Sequence, residues 1–273
     1  MQWNRELEFA LSLSDETERP VFALFQEVPG CAGCKQFGAD VLSDPHVVEA
    51  IEQEFVPLLI HNNSSGRDAE VLAHYQEPAW NFQVVRFFNA GGTDLIPRRD
   101  RVWETGPLLT RMVAALEAAG RSVPDHLRLY EQQHSERLSE VFFAQGCFWV
   151  GEMELGQIDG VVLTEAGFMH GLEVTKVHFD ADQVSLESLV QQARQRQVAT
   201  AIFTNDGRDG LQALLDVRVD SPGKYRVAPK SDQKRQLGGR SAGQLTESQL
   251  TKANAFGRVS PADAKRFLFP SQR

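Results

Sequence analysis

Two short cysteine-bearing stretches carry the chemistry this sequence can do. The first, Cys31-Ala32-Gly33-Cys34, is a dithiol two residues apart. Where such a pair opens a helix, the unpaired backbone N–H groups and the helix dipole stabilise a thiolate on the first cysteine. Cys31 then reads as a nucleophile and Cys34 as the thiol that resolves a mixed disulfide. A half zinc site is the other use of the spacing, but neither a second Cys-X-X-Cys nor a closely spaced His pair completes it. The second stretch, Gly146-Cys147-Phe148-Trp149, sets a lone thiol beside two large rings. That arrangement suits a small apolar pocket next to a reactive sulfur. It equally suits an inert cysteine in an aromatic core, so these four residues alone leave Cys147 open. Three cysteines in all cannot form a disulfide framework and fit a reducing compartment, so a cytoplasmic protein is expected.

The elements around the dithiol alternate strands and helices. Leu7, Ala10, Leu11 and Leu13 fall near helical spacing. Pro20 introduces the apolar run Val21–Phe25, which suits a buried strand. Val28-Pro29-Gly30 is a turn, and Asp44-Pro45 is a helix start leading into Val47, Val48, Ile51 and Phe55. Residues 55–60 read as a second buried strand. Residues 84–88, 89–92 and 94–97 read as a hairpin, and Leu108–Ala119 as an amphipathic helix ending at Gly120. The order predicts a layered α/β domain over residues 1–122, followed by a polar linker or helix over 123–140.

The second cysteine lies where the strand-like Val141–Ala144 runs into a turn. Val161–Thr164 and Glu173–Phe179 are further strand-like runs, Leu186–Arg196 a helix and Ala201–Phe203 a short strand, predicting an α+β domain over 141–220. From 221 to 273 the chain reads as an irregular tail with one helix near Thr246–Phe256, whose Thr-x-x-Gln start fits a capping box. Charge is uneven: net −9 overall, yet 11 Lys+Arg against 3 Asp+Glu from Pro222 to Arg273. A basic tail on an acidic body is expected to pack back on that body, and the net charge argues against nucleic acid as a partner. No apolar run approaches the ~18–20 residues that cross a bilayer, and Arg5, Glu6 and Glu8 interrupt the start, so neither a membrane nor a signal peptide is expected. The seven histidines show no ligand spacing, so no metal or cofactor is expected, although His170 lies close to Glu173. Arg98-Arg99-Asp100-Arg101 reads as a solvated face.

Residues 5–120, with RPVFALFQEVPGCAGCKQFGADVLSDPHVVEAIEQEFVPLLI, resemble the thioredoxin superfamily. Gln83 stands where that superfamily usually carries a cis-proline facing the disulfide. Residues 141–204, with AQGCFWVGEMELGQIDGVVLTEAGF and GLEVTKVHFD, resemble peptide methionine sulfoxide reductase A. The resemblance implies Cys147 as nucleophile, Phe148 and Trp149 as the rings of a methyl pocket, Glu152 as a structural carboxylate and Glu173 as the acid. Phe168 occupies a position where the family has tyrosine. The family's long loop is missing between Gly171 and Leu172, and Val198 and Ala193 fall where it has a tyrosine and an aspartate.

The implied chemistry is thiolate attack on a sulfoxide sulfur with proton delivery from a carboxyl, leaving a sulfenic acid on Cys147. No cysteine follows Cys147, so Cys31 or Cys34 is the internal thiol that can resolve it. The expected protein is a thiol-dependent reductase of methionine-S-sulfoxide, free or peptide-bound. Its expected partners are an oxidised methionine or protein substrate and an external thioredoxin with its reductase. The alternative is a thiol-disulfide oxidoreductase whose second domain is a degenerate, client-binding platform.

Overall fold

The computed structural model describes residues 1–80, 83–207, 210–212, 217–237 and 245–272. The chain is mixed α/β and divides into two compact units, Met1–Leu127 and Arg128–Arg273.

The first unit is built on β1 (Val21–Gln26), the central strand of a sheet ordered β2-β1-β3. Five consecutive apolar residues, all 0–1% exposed, are what a strand covered on both faces requires. At about 1.5–3 kcal/mol for each large side chain taken out of water, this run anchors the unit. β1 pairs in parallel with β2 (Val56–His61) and antiparallel with β3 (Val84–Phe88). Parallel strands need a crossover, and α2 (Ala32–Asp40) and α3 (Pro45–Glu54) supply it. Asp44 caps α3 by accepting from His46 N and Val47 N at 2.8 and 3.1 Å, with Pro45 at the first helical position. The opening helix α1 (Leu7–Thr17) and α5 (Thr105–Ala118) add buried faces, and Gly120 follows α5 at φ +72°.

Three expectations for this unit change. The hairpin arm over 94–97 reduces to one bridge, Phe88 to Asp94. A helix α4 (Arg67–Tyr75) was hidden by its polar composition, since only Val71 and Leu72 of its apolar residues are buried. The charge run at 98–101 is not simply a solvated face. Arg98 donates to both oxygens of Glu77 at 2.6 and 2.8 Å, and Arg86 donates to Glu77 at 3.0 Å and to Asp94 at 3.0 Å. The Glu77 side chain is 1% exposed, and such a charge is tolerable there only because two guanidinium groups saturate it.

The second unit is a six-stranded sheet ordered β8-β7-β4-β6-β5-β9. Its centre is β4 (Leu138–Ala144), β5 (Val161–Met169) and β6 (Leu172–Asp180), all antiparallel. β7 (Ala201–Phe203) pairs with β4, β8 (Arg218–Asp220) runs parallel to β7, and β9 (Arg226–Val227) pairs with β5. α6 (Asp125–Gln133) precedes β4, and α7 (Phe148–Gly156) and α8 (Leu186–Gln195) are contributed between strands. Val141, Phe143, Val177 and Phe179 of one sheet face pack with Leu155, Leu189, Val190 and Ala193, a core that puts α7 and α8 on that face.

β5 and β6 are longer than the sequence suggested, because they form one hairpin closed by His170-Gly171. Both residues have positive φ, +52° and +77°, the backbone that a two-residue hairpin turn requires. The tail is also more ordered than expected. α9 (Glu247–Phe256) begins with the anticipated Thr246/Gln249 capping box, and it is joined by β9, short 3₁₀ turns and a second helix, α10 (Pro261–Arg266). α9 lies so close to α7 that a Cβ on Gly156 would sit 2.9 Å from Ala255 Cβ. No helix among the described residues is long and apolar enough to cross a membrane.

Candidate active site

In the first unit the dithiol caps α2. Cys31 is the N-cap residue, in extended backbone, and its Sγ accepts from Cys34 N at 3.3 Å. The two sulfurs lie 2.9 Å apart and both cysteines are free. Hydrogen bonding from Cys34 holds the Cys31 thiol below its ordinary value, whereas burial pushes Cys34 up. The partition follows from exposure: Cys31 is partly open and Cys34 is 4% exposed. Gly30 is needed for this packing, since a Cβ there would lie 2.8 Å from Cys34 Cβ. Gln83 is buried just before β3, and its Oε1 has no hydrogen-bond partner among the described residues. Asn81 and Phe82, in the same expected stretch, lie outside the described residues.

In the second unit Cys147 is the N-cap residue of α7, in extended backbone, and its side chain makes no capping bond. The first free N–H of the helix is used elsewhere: Phe148 N donates to Glu173 Oε2 at 2.9 Å. Glu173 is positioned by the sheet, opposite Phe168 in the β5/β6 register, and its carbonyl accepts from Gln145 N at 3.2 Å. The helix can approach because Gly151 sits over the sheet. A Cβ there would be 2.4 Å from Thr175 Oγ1, and the Gln145 amide group and Thr175 hydroxyl occupy that space 2.8 Å apart.

The expected aromatic residues meet. Phe148 and Phe168 rings are 5.4 Å apart at 71°, and Phe148 and Trp149 are 5.9 Å apart at 57°, with Ala166 and Ala228 completing the cluster. Cys147, Phe148, Trp149, Phe168 and Glu173 are thus gathered at the N-terminus of one helix.

The tail supplies the residues that sequence reasoning missed. Glu152, fully buried on α7, accepts from Lys234 N and Lys234 Nζ, each at 2.7 Å. Gln233 grips Ala166 on β5, accepting from its N–H at 2.9 Å and donating to its carbonyl at 2.7 Å. Asp232 O accepts from Trp149 Nε1 at 3.0 Å, fixing the indole. Arg226 stacks on Phe168 and Arg235 on Trp149. The excess positive charge of the tail was the signal available; its targets are too distant in sequence to be read from it.

The positions that resemble sites of hydroxyl and carboxylate donors do not reach this cluster. Val198 is 1% and Ala193 0% exposed, both in the hydrophobic core under α8. Tyr225 is committed: its hydroxyl donates to Ala166 O at 3.1 Å, its ring fills the space over Gly167, and burial pushes its pKa strongly upward. His170 is used in the hairpin turn, its ring packed against Gly223 and 5.2 Å from Phe203.

No family model matches the chain. It is 27% identical over 111 residues to the chloroplastic peptide methionine sulfoxide reductase A4 of Arabidopsis thaliana, covering 34% of this chain and 43% of that protein. Peptide methionine sulfoxide reductase A2 of the same plant is 27% identical over 111 residues, covering 34% and 51%. The chain therefore spans about half the length of the curated relatives it matches. Among solved structures, a DsbH oxidoreductase is 17% identical with a TM-score of 0.37, covering 43% of this chain and 85% of that one. A thioredoxin from Thermus thermophilus is 21% identical at TM-score 0.37, covering 44% and 90%. Methionine sulfoxide reductase A of Corynebacterium diphtheriae is 18% identical at TM-score 0.33, covering 46% and 90%. At low identity, over about a third of its length, the chain is similar to peptide methionine sulfoxide reductases A.

Proposed function

We propose that the chain is a thiol-dependent oxidoreductase that reduces methionine-S-sulfoxide, free or in peptides, through Cys147. The observation that carries this reading is the bond from Phe148 N to Glu173 Oε2, which seats a carboxyl one residue from the thiol. The other carboxylate oxygen, Oε1 of Glu173, is the one that would carry a proton to substrate. The Cys147 thiolate attacks the sulfoxide sulfur while Glu173 protonates the sulfoxide oxygen. The sulfur–sulfur bond so formed and the substrate sulfur–oxygen bond then break as the oxygen, with its proton, passes to the Cys147 sulfur, so that the thioether departs and Cys147 is left as a sulfenic acid. Substrate sulfur gains the two electrons that the cysteine sulfur loses. Phe148, Trp149 and Phe168 hold the methyl group away from water.

Cys31 then attacks the sulfenic sulfur, releasing water and forming a Cys31–Cys147 disulfide. Cys34 displaces Cys147 to give a Cys31–Cys34 disulfide, which an external thiol such as a thioredoxin reduces. The lowered Cys31 and raised Cys34 thiols support this order. Trapping tests both steps. With one equivalent of methionine-S-sulfoxide, a Cys31→Ser/Cys34→Ser chain is expected to release methionine and retain a dimedone-reactive Cys147. The unsubstituted chain is expected to lose that adduct and gain the Cys31–Cys34 disulfide. No methionine in either case overturns the reading, and an equally persistent adduct in both overturns the relay alone.

One observation favours a second reading. Val198 and Ala193 are sealed in the core, so no donor from that segment polarises a sulfoxide. Losing one such donor typically costs ~10²–10³ in rate. A thiol-disulfide oxidoreductase with a client-binding second unit would reduce insulin disulfides through Cys31 and release no methionine from the sulfoxide.

A further inference from the structure

Three residues lie in register across β9, β5 and β6: Arg226 opposite Phe168, and Phe168 opposite Glu173. Directly paired residues project from the same face of a sheet, so a cation, a ring and a carboxylate form one row about two strand spacings, ~10 Å, across. The Arg226 guanidinium carbon sits 4.3 Å from the Phe168 ring centroid. On another side of the aromatic cluster, Arg235 sits 5.1 Å from the Trp149 centroid. Both arginines are exposed, and neither has a carboxylate partner among the described residues. Their neighbours differ: Lys234 is engaged by Glu152 and Lys176 by Glu165 at 2.8 Å. A guanidinium lying on a ring keeps its edge N–H donors free, in the fork geometry that matches a carboxylate.

We propose that Arg226, assisted by Arg235, recognises a carboxylate on the substrate, so that the sulfoxide taken by this site carries its acid group a few bonds from the sulfur. A free or C-terminal methionine sulfoxide has this form, with three carbons between sulfur and carboxylate carbon, whereas an internal residue of a peptide does not. Sulfur at the Cys147–Glu173 end of the row and carboxylate at the Arg226 end would keep the two negative groups apart. The inference rests on the sulfoxide-reducing reading above and narrows its substrate class.

Binding separates the two. In a Cys147→Ser chain, which cannot consume the ligand, calorimetry compares N-acetyl-methionine-S-sulfoxide with its neutral primary amide. The acid is expected to bind about 10-fold tighter, as a charge-assisted pair should provide. Arg226→Gln is expected to bring the ratio close to one and Arg226→Lys to restore part of it, with thermal melting verifying that each variant folds. The preference is expected to shrink in 0.5 M salt, with a Debye length of about 4 Å. Equal affinity of acid and amide, a ratio unmoved by Arg226→Gln, or no binding of either overturns the inference. Turnover of both ligands at equal kcat/KM by the unsubstituted chain overturns it while leaving the sulfoxide reaction standing. A binding preference without turnover supports the anion site and contradicts the reaction.

Discussion

Glu173 Oε2 accepts a hydrogen bond at 2.9 Å from the backbone N–H of Phe148, the residue that follows Cys147. A strand side chain is thereby tied to the first turn of α7, and the thiol and the carboxyl cannot move independently. Glu173→Gln retains an acceptor for that N–H but has no proton to give. It is expected to leave the melting temperature nearly unchanged and to lower kcat/KM for methionine-S-sulfoxide by ~10²–10⁴-fold, the usual contribution of a positioned acid. Activity within a few-fold of the unsubstituted chain would remove Glu173 from the proton path.

Selective alkylation tests the division of labour in the dithiol. Because Cys31 is lowered from the ordinary value of 9.0, its thiolate fraction at neutral pH is increased. Iodoacetamide labelling of Cys31 is expected to follow a titration centred below pH 9, while Cys34, raised and 4% exposed, stays unlabelled over the same range. Peptide mapping that finds Cys34 labelled first would reverse the nucleophile and resolving roles.

The Glu152–Lys234 pair ties the basic tail to α7. Glu152 has a side chain 0% exposed and Lys234 one 10% exposed, so removing one partner strands the other. Glu152→Leu is expected to destabilise the chain by about 3–5 kcal/mol in urea unfolding, and Glu152→Leu/Lys234→Met to recover much of that loss. A single variant costing less than about 1 kcal/mol would mean the tail is held by its other contacts, chiefly those of the Gln233 side-chain amide with the Ala166 backbone.

Lys252 gives a pH dependence of definite sign. Its Nζ donates to Gly156 O at 2.9 Å at the end of α7, and burial pushes its pKa from 10.5 down to about 8. Between those values the unfolded chain holds a proton that the folded protein has released, so stability rises with pH across the window and the cost is full below about pH 8. A shift of this size corresponds to about 3 kcal/mol. The gain in urea midpoint from pH 7.5 to 10 is expected to be larger in the unsubstituted chain than in Lys252→Met. Equal gains would show that the ammonium is hydrated in the folded state.

The parts of this fold that could be read from sequence are those specified locally. The run Val21–Phe25, the Asp44-Pro45 start of α3 and the Thr246/Gln249 capping box each state their structure within a few residues. The dithiol was visible for the same reason, whereas Phe148 and Trp149, read as part of a turn, open helix α7. Less legible were features fixed at long range. Arg98 looks solvated until Glu77, 21 positions away, is placed against it. Lys234 and Gln233 have no periodicity to reveal that they grip α7 and β5, and Arg226 acquires its place only through pairing with Phe168. The His170-Gly171 turn was not legible because its positive-φ backbone is specified only by the pairing of β5 with β6.

Steady-state release of methionine from methionine-S-sulfoxide, with dithiothreitol as reductant, tests the central claim most directly when the unsubstituted chain is compared with Cys147→Ser. Turnover above the protein-free rate that disappears in the Cys147→Ser chain is the predicted result. Indistinguishable rates in the two proteins would contradict the assignment of Cys147 as the nucleophile.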